Sequence, residues 1–343
     1  MPRVLIVGTS KYTRGGIAAV IKAQQQGEQW NKFHCKWIGY HVDRANWIKI
    51  LYYLFAIVQY VFYLPFYQIV HFQFSLPTDA RRSYYFFKIA KLFGKKTIIH
   101  LHCGDQLSEI WSPMYEELFT YSDMALVLSP SIKRVVQEYI GTNCRIEVMY
   151  NPCPTIQSIT PFEKRENEIL FAGTLNANKG YADLIIGFAK IAKKYPDWKV
   201  VFAGNGQVEL AKELAQKLGI ESQCKFLGWV NGEQKDDAFR RASILCLASY
   251  QEGFPMAVLD AWAYGVPIVT TPAGGLIDII SEGKNGLMFK AGDVDTMAEK
   301  LDRMIDDVHM RKAIAAESLK LACTTFNINN LNKQLGEIYN NIL

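Results

Sequence analysis

The sequence predicts two α/β domains in tandem, each built on a doubly wound parallel sheet. Three observations predict this. Strand-like and helix-like stretches alternate along the 343 residues. The strand-like runs are almost continuously apolar, as strands buried on both faces are. The alternation stops once, around Pro152, Pro154 and Pro161, and then restarts. A chain of this length can close two cores of ordinary size.

In the first half, strands are expected at 3–8, 33–38, 68–72, 96–101, 124–128 and 145–149. Helices are expected between them at 15–29, 47–64, 78–93, 111–121 and 130–140. The proline-rich stretch 151–166 reads as a linker, so the first domain is placed at 1–150. In the second half, at 167–326, strands are expected at 168–172, 199–203, 224–227, 244–247, 267–270 and 286–289. The matching helices are 180–194, 207–218, 233–241, 255–264, 294–306 and 308–321. A last helix over 328–342 follows from Ile328, Leu331, Leu335, Ile338, Tyr339 and Ile342, which recur at helical spacing.

Half of the residues are apolar and a fifth are charged, the balance of a globular chain. The seven cysteines are scattered, with no Cys-x-x-Cys pair, which fits reduced thiols in a cytoplasmic protein and neither a disulfide framework nor a zinc site. The opening residues 1–8 form a short strand and a glycine turn, too short for the apolar region of a signal peptide. Residues 1–150 hold 17 Lys and Arg against 10 Asp and Glu, so an anionic partner is expected on that half. Stretch 50–67 has Gln59 as its one strongly polar residue. A membrane span there would separate the first two strands from the rest of their sheet. The stretch therefore reads as an apolar core helix, or as one that also dips Tyr52, Phe55, Phe62 and Tyr63 into a membrane surface. Arg81, Lys88, Lys91 and Lys95 share one face of the next helix, suited either to solvent or to an anionic leaflet. No nucleic-acid-binding motif accompanies these basic residues, and nucleic acid is not an expected partner.

The chemistry centres on Ser249-Tyr-Gln-Glu-Gly-Phe-Pro-Met-Ala-Val-Leu-Asp260. Glu252 and Gly253 lie in a loop, Pro255 suits the first turn of a helix, and Asp260 follows within that helix. Free N–H groups at a helix start bind anions, and neighbouring carboxylates accept hydrogen bonds from hydroxyls. Phosphate and polyol together describe a nucleotide sugar. Four other strand-to-helix turns could contribute. Gly15-Gly16 opens the first helix, where backbone could approach a phosphate or simply turn. His100 and His102 lie on one side of a strand end, placed for polar contact with a sugar or for a structural role; His71 is a weaker candidate. Gly173, Thr174 and Lys179 form an irregular turn whose cation could balance a diphosphate. Gly204 and Gly206 bring backbone close to a ligand.

Taken in order, these residues resemble the family 4 glycosyltransferases of the GT-B fold over nearly the whole chain. Glu252-Gly-Phe-Pro through Asp260 is similar to the family's Glu-x7-Glu signature, and Gly274-Gly275 to the glycine pair after it. Gly15-Gly16 resembles its N-terminal glycine loop, the turn around His102 its His-x-Gly segment, and Gly173 through Lys179-Gly180 its Gly-Arg-Leu and Lys-Gly element. The resemblance implies two Rossmann-like domains facing a cleft, with the terminal helix (327–343) packing back on the first. It implies a nucleotide-sugar donor held by the second domain, an acceptor at the first, transfer with retention, and no cofactor or bound metal. Carried over residue by residue, Glu252 and His102 would lie at the donor sugar and Asp260 at the ribose. Lys179 would balance the diphosphate, and backbone of Gly253, Phe254, Pro255 and Met256 would cradle it. Two positions depart from the pattern. Thr174 stands where the family has Arg, removing a bidentate phosphate ligand and leaving Lys179 and another cation such as Arg14. Asp260 replaces a Glu one methylene longer. The function expected is sugar transfer to a glycan, lipid-linked, at the cytoplasmic face of the plasma membrane. The alternatives are a soluble acceptor, or a non-catalytic nucleotide-sugar-binding scaffold.

Overall fold

The computed structural model describes residues 1–343 apart from Arg14, Leu76 and Asp105. Arg14, considered above as a phosphate cation, therefore lies outside the described residues. Two units divide the chain: Met1–Pro152 together with Phe326–Leu343, and Cys153–Thr325. The stretch 151–166 is split by this division, with all of it from Cys153 onward in the second unit.

The first unit holds β1 (Val4–Gly8), β2 (Lys36–Gly39), β3 (Ile69–Phe74), β4 (Lys96–Leu101), β5 (Met124–Val127) and β6 (Ile146–Val148). They form one sheet in the order β2-β1-β3-β4-β5-β6, parallel throughout. Its helices are α1 (Gly16–Gln24), α2 (Glu28–Lys32), α3 (Asn46–Tyr63), α4 (Pro77–Leu92), α5 (Leu107–Ile110), α6 (Pro113–Thr120) and α7 (Pro130–Ile140). In the second unit β7 (Glu168–Ala172), β8 (Lys199–Ala203), β9 (Cys224–Gly228), β10 (Ile244–Leu247), β11 (Ile268–Thr270) and β12 (Leu287–Met288) form a second parallel sheet, ordered β12-β11-β10-β7-β8-β9. Around it run α8 (Tyr181–Ile191), α9 (Val208–Lys217), α10 (Glu233–Arg241), α11 (Met256–Ala263), α12 (Val294–Asp306) and α13 (Val308–Cys323). The last helix, α14 (Ile328–Asn341), belongs to the first unit.

The helix α14 completes a core. Leu331, Leu335, Ile338 and Tyr339 pack with Ile17 and Ile21 of α1 over Val4, Ile6, Ile69 and Ile98 on one face of the first sheet. Each fully buried side chain of this size stabilises by about 1.5–3 kcal/mol. The expected helix 15–29 is instead two helices broken at Gln25–Gly27. A Cβ at Gly27 would lie 2.6 Å from the Asn332 amide, so α14 packs directly against the break. The expected helix 111–121 starts later, at Pro113, whose fixed φ suits the first turn.

One element departs from expectation more strongly. Among the described residues, the helical stretch Asn46–Phe66 is long and apolar enough to cross a membrane. It is not a core helix, since Ala56 and Tyr60 are the buried residues of α3. Of the four aromatic residues expected at its exposed edge, Phe55 and Phe62 are exposed. Tyr52 and Tyr63 are half-buried, and the Tyr52 hydroxyl donates to Ser10 Oγ at 3.0 Å. The basic face on α4 is also partly neutralised, because Lys88 pairs with Glu117, and Lys91 with Asp123 at 3.2 Å.

Candidate active site

At the C-terminal ends of β7 and β10, two loops of the second unit are tied together. Tyr250 N donates to the Asn178 carbonyl at 2.8 Å, and Asn178 Nδ2 to the Gln251 carbonyl at 3.1 Å. Asn176 caps the short turn Ala177–Lys179 by accepting from Lys179 N at 3.0 Å. Gly180 then takes φ +64°, and a Cβ there would lie 2.2 Å from the Ala248 carbonyl oxygen. Only glycine allows the Lys179 loop to lie this close to the end of β10.

This geometry brings Lys179 to Glu252. Lys179 Nζ is 2.5 Å from Glu252 Oε1, which also accepts from Ser249 Oγ at 2.8 Å. The Glu252 side chain is 10% exposed and that of Lys179 26%, so the pair is sheltered yet reachable. Behind them Gly274, at φ +60°, packs on the Glu252–Gly253 backbone, and Gly275 N donates to the Gly253 carbonyl at 2.9 Å. The similarity between Gly274-Gly275 and the family's glycine pair thus has a physical basis: a Cβ at Gly274 would lie 2.2 Å from the Gly253 oxygen.

The helix α11 begins one residue later than Pro255. Pro255 is its cap in extended conformation, and its carbonyl accepts from Val258 N at 3.1 Å. Phe254 is buried edge-on to Trp262, 6.4 Å between centroids, which anchors the loop to α11. Met256 and Ala257 open the first turn, where N–H groups have no acceptor within the helix.

Asp260 lies in the second turn of α11 and is buried. Burial pushes its carboxyl above the usual range, and the Lys235 ammonium, 2.7 Å away on α10, pulls it back. Lys235 was missed in the sequence, where no spacing links it to Asp260. Thr174 is exposed on the neighbouring loop. That loop runs against the glycine turn 204–206, with Leu175 N donating to Asn205 O at 2.7 Å and Gln207 N to Leu175 O at 2.8 Å. Gly173, Thr174 and Gly204 are thus neighbours at the ends of β7 and β8.

Gly15, Gly16 and His102 lie in the first unit. Gly15 caps α1 and both glycines are exposed. His102 is the outermost member of a histidine stack: His71 and His100 lie 5.5 Å apart at 10°, and His100 and His102 4.2 Å apart at 30°. His71 shares a hydrogen bond of 2.8 Å with the Tyr339 hydroxyl of α14, and His102 Nε2 one of 3.1 Å with Gln73 Oε1. Burial holds His71 and His102 down at about 3 and His100 well below its ordinary value, so all three are neutral near pH 7. His102 can therefore offer neutral hydrogen bonds and no charge.

The family described as "Glycosyl transferases group 1" matches residues 153–320, the unit that carries Lys179, Glu252 and Asp260. Anabaena HepE, solved with UDP and glucose, superposes with a TM-score of 0.77 at 17% identity, over 99% of this chain and 100% of that one. Residues 153–320 thus belong to the glycosyl transferases group 1, and the fold is GT-B. Among the chain's relatives, an uncharacterised glycosyltransferase of Methanocaldococcus jannaschii is 28% identical over 262 residues, covering 69% of this chain and 65% of that protein. A Haemophilus influenzae glycosyltransferase is 32% identical over 55% of this chain and 53% of its own. The matches thus span less than two thirds of these two relatives' lengths. A Campylobacter jejuni N-acetyl-D-galactosaminyltransferase, named for an undecaprenol-diphosphate-linked acceptor, is 29% identical over 72% of this chain and 69% of its own.

Proposed function

We propose that this protein is a glycosyltransferase that moves a sugar from a nucleotide-sugar donor to a lipid-linked glycan at the cytoplasmic membrane face, with retention of anomeric configuration. The observation that carries the donor site is the Lys179–Glu252–Ser249 cluster at the start of α11. A diphosphate placed there meets an ammonium and first-turn N–H groups, while Glu252 accepts from sugar hydroxyls. In the reaction the bond from the anomeric carbon to the departing diphosphate breaks. The acceptor oxygen bonds to that carbon on the vacated face, and its proton leaves with the diphosphate. Lys179 and the α11 N-terminus stabilise the charge that develops, with no metal required by the reading. Asp260 with Lys235 is assigned to the ribose.

Support for the lipid-linked acceptor comes from the Campylobacter relative and from the lipopolysaccharide 1,6-galactosyltransferase of Salmonella typhimurium, 29% identical over 56% of this chain. UDP-sugars are the first donors to try, since HepE was also solved with UDP-glucose. A thermal-shift series with UDP-, GDP- and ADP-sugars identifies the donor, because a ligand of the folded state alone raises Tm. With that donor, Lys179→Ala is expected to lower turnover by about two orders of magnitude, and Glu252→Gln to abolish most of the rest. Wild-type turnover in Lys179→Ala would remove its charge from the mechanism.

A further inference from the structure

The helix α3 is built inside out. Trp47, Ile50, Leu51, Leu54, Phe55, Val58, Val61 and Phe62 all face solvent, and they recur every three or four residues along one stripe. Val58 and Phe62, at 66% each, are among its most exposed. The side turned to the protein is the more polar one. Tyr53 donates to the Arg82 carbonyl at 3.2 Å and Tyr60 to the Phe86 carbonyl at 2.9 Å, with the Tyr60 and Phe86 rings edge-on. Hydroxyls that would sit comfortably in water are thus turned inward, and aliphatic and aromatic groups are left outside. The stripe runs on to exposed Phe66, and Lys95, next to exposed Leu92 and Phe93, reaches the Pro65 carbonyl at 3.4 Å.

We infer that α3 lies in the plane of an anionic lipid bilayer with this stripe inserted among the acyl chains. Three features select lipid as the occupant. The helix α3 itself carries Lys49 and no Asp or Glu, so no acidic side chain interrupts the stripe or opposes anionic headgroups along it. Lys36 lies over the Tyr63 ring at 3.9 Å and Lys95 reaches Pro65, so both ammonium groups stand at the end of the stripe, where a headgroup would be. A parallel pairing of two copies through the stripe would instead set these like charges close together. The helix does not cross the bilayer. The strands on either side of it, β2 and β3, both pair with β1, and its tyrosine side is hydrogen-bonded to α4.

The energetics follow from the ion pairs on α4. With Lys88 and Lys91 engaged by Glu117 and Asp123, attachment rests on the inserted side chains, and the lysine border only orients it. This deepens the lipid-linked reading above and rests on its premise that the acceptor lies in a membrane.

Vesicle flotation tests it, with phosphatidylcholine alone and with added phosphatidylglycerol, in low salt and at about 0.5 M salt, where surface charge is screened. The wild type is expected to float with the mixed vesicles and to stay bound in high salt. Val58→Glu with Phe62→Glu is expected to lower binding by roughly tenfold or more, because each charge must enter the apolar layer. Circular dichroism and the thermal shift with UDP-glucose verify that this variant folds; if it does not, Val58→Ser with Phe62→Ser takes its place. Failure of the wild type to float, equal flotation of the stripe variants, or a lipid-free dimer that those variants dissociate would each overturn the inference. Flotation as expected without any sugar transfer counts against the proposed function and leaves the inference standing.

Discussion

At the scale of single residues, Lys179 and Glu252 hold each other at 2.5 Å, so a donor has to take both over from an existing pair. Lys235 and Asp260 form a second such pair in a more buried place. Asp260 is raised by burial and brought down by Lys235, so removing the lysine raises it further and leaves less carboxylate as pH falls. Lys235→Met is expected to raise the donor KM about tenfold near pH 7 with a smaller effect on kcat, and more so at pH 6. Lys235→Arg should restore much of the loss. Initial rates against donor concentration across that range measure both, and an unchanged KM would detach Lys235 from donor binding. The carboxylates of this site were legible in the sequence because their spacing lies within one loop and helix. Lys235 was not, since its partner is brought to it by the packing of α10 beside α11. Gln73 as the partner of His102 was hidden for the same reason, since the two meet only through the register of β3 and β4, whereas His100 follows from strand alternation.

At the scale of elements, the strands of both sheets were readable because continuous apolar runs between turn residues have few other fates. The helices were less so. The break at Gly27 depends on α14, far along the chain, and the exposed stripe of α3 reverses the usual rule that the apolar side faces in. Glycines with positive φ separate two costs. Gly180 and Gly219 have φ of +64° and +69°, but a Cβ at Gly219 meets nothing within 4 Å, whereas at Gly180 it meets the Ala248 carbonyl at 2.2 Å. Gly219→Ala should cost about 1 kcal/mol through backbone strain alone. Gly180→Ala should cost roughly 2–4 kcal/mol, since the Lys179 loop must also move away from β10. Urea denaturation of both variants measures the difference, and equal losses would mean that the loop yields freely.

At the scale of the whole molecule, the first unit carries a built-in sensitivity to acid. Its three stacked histidines stay neutral when folded, with His71 and His102 held at about 3, but charge near 6.5 when the chain unfolds. Above pH 6.5 neither state binds the proton and stability is unaffected. As pH falls from 6.5 toward 3 the unfolded state alone takes protons up, and stability drops by up to about 1.4 kcal/mol per pH unit for each histidine. Calorimetry between pH 8 and 5 should show one transition moving down steeply, and His71→Phe should flatten that slope. An equal slope in the variant would place the acid sensitivity elsewhere. The same unit contains the helix α14, whose Tyr339 bonds to His71, although all of Cys153–Thr325 stands between α14 and the rest of the unit in the chain. Synthesis from the N-terminus therefore delivers the second unit whole before the first can close. While residues 153–325 are emerging from the ribosome, the sheet face of Val4, Ile6, Ile69 and His71 has the cover of α1 but lacks that of α14. The unit made first is the last to be finished.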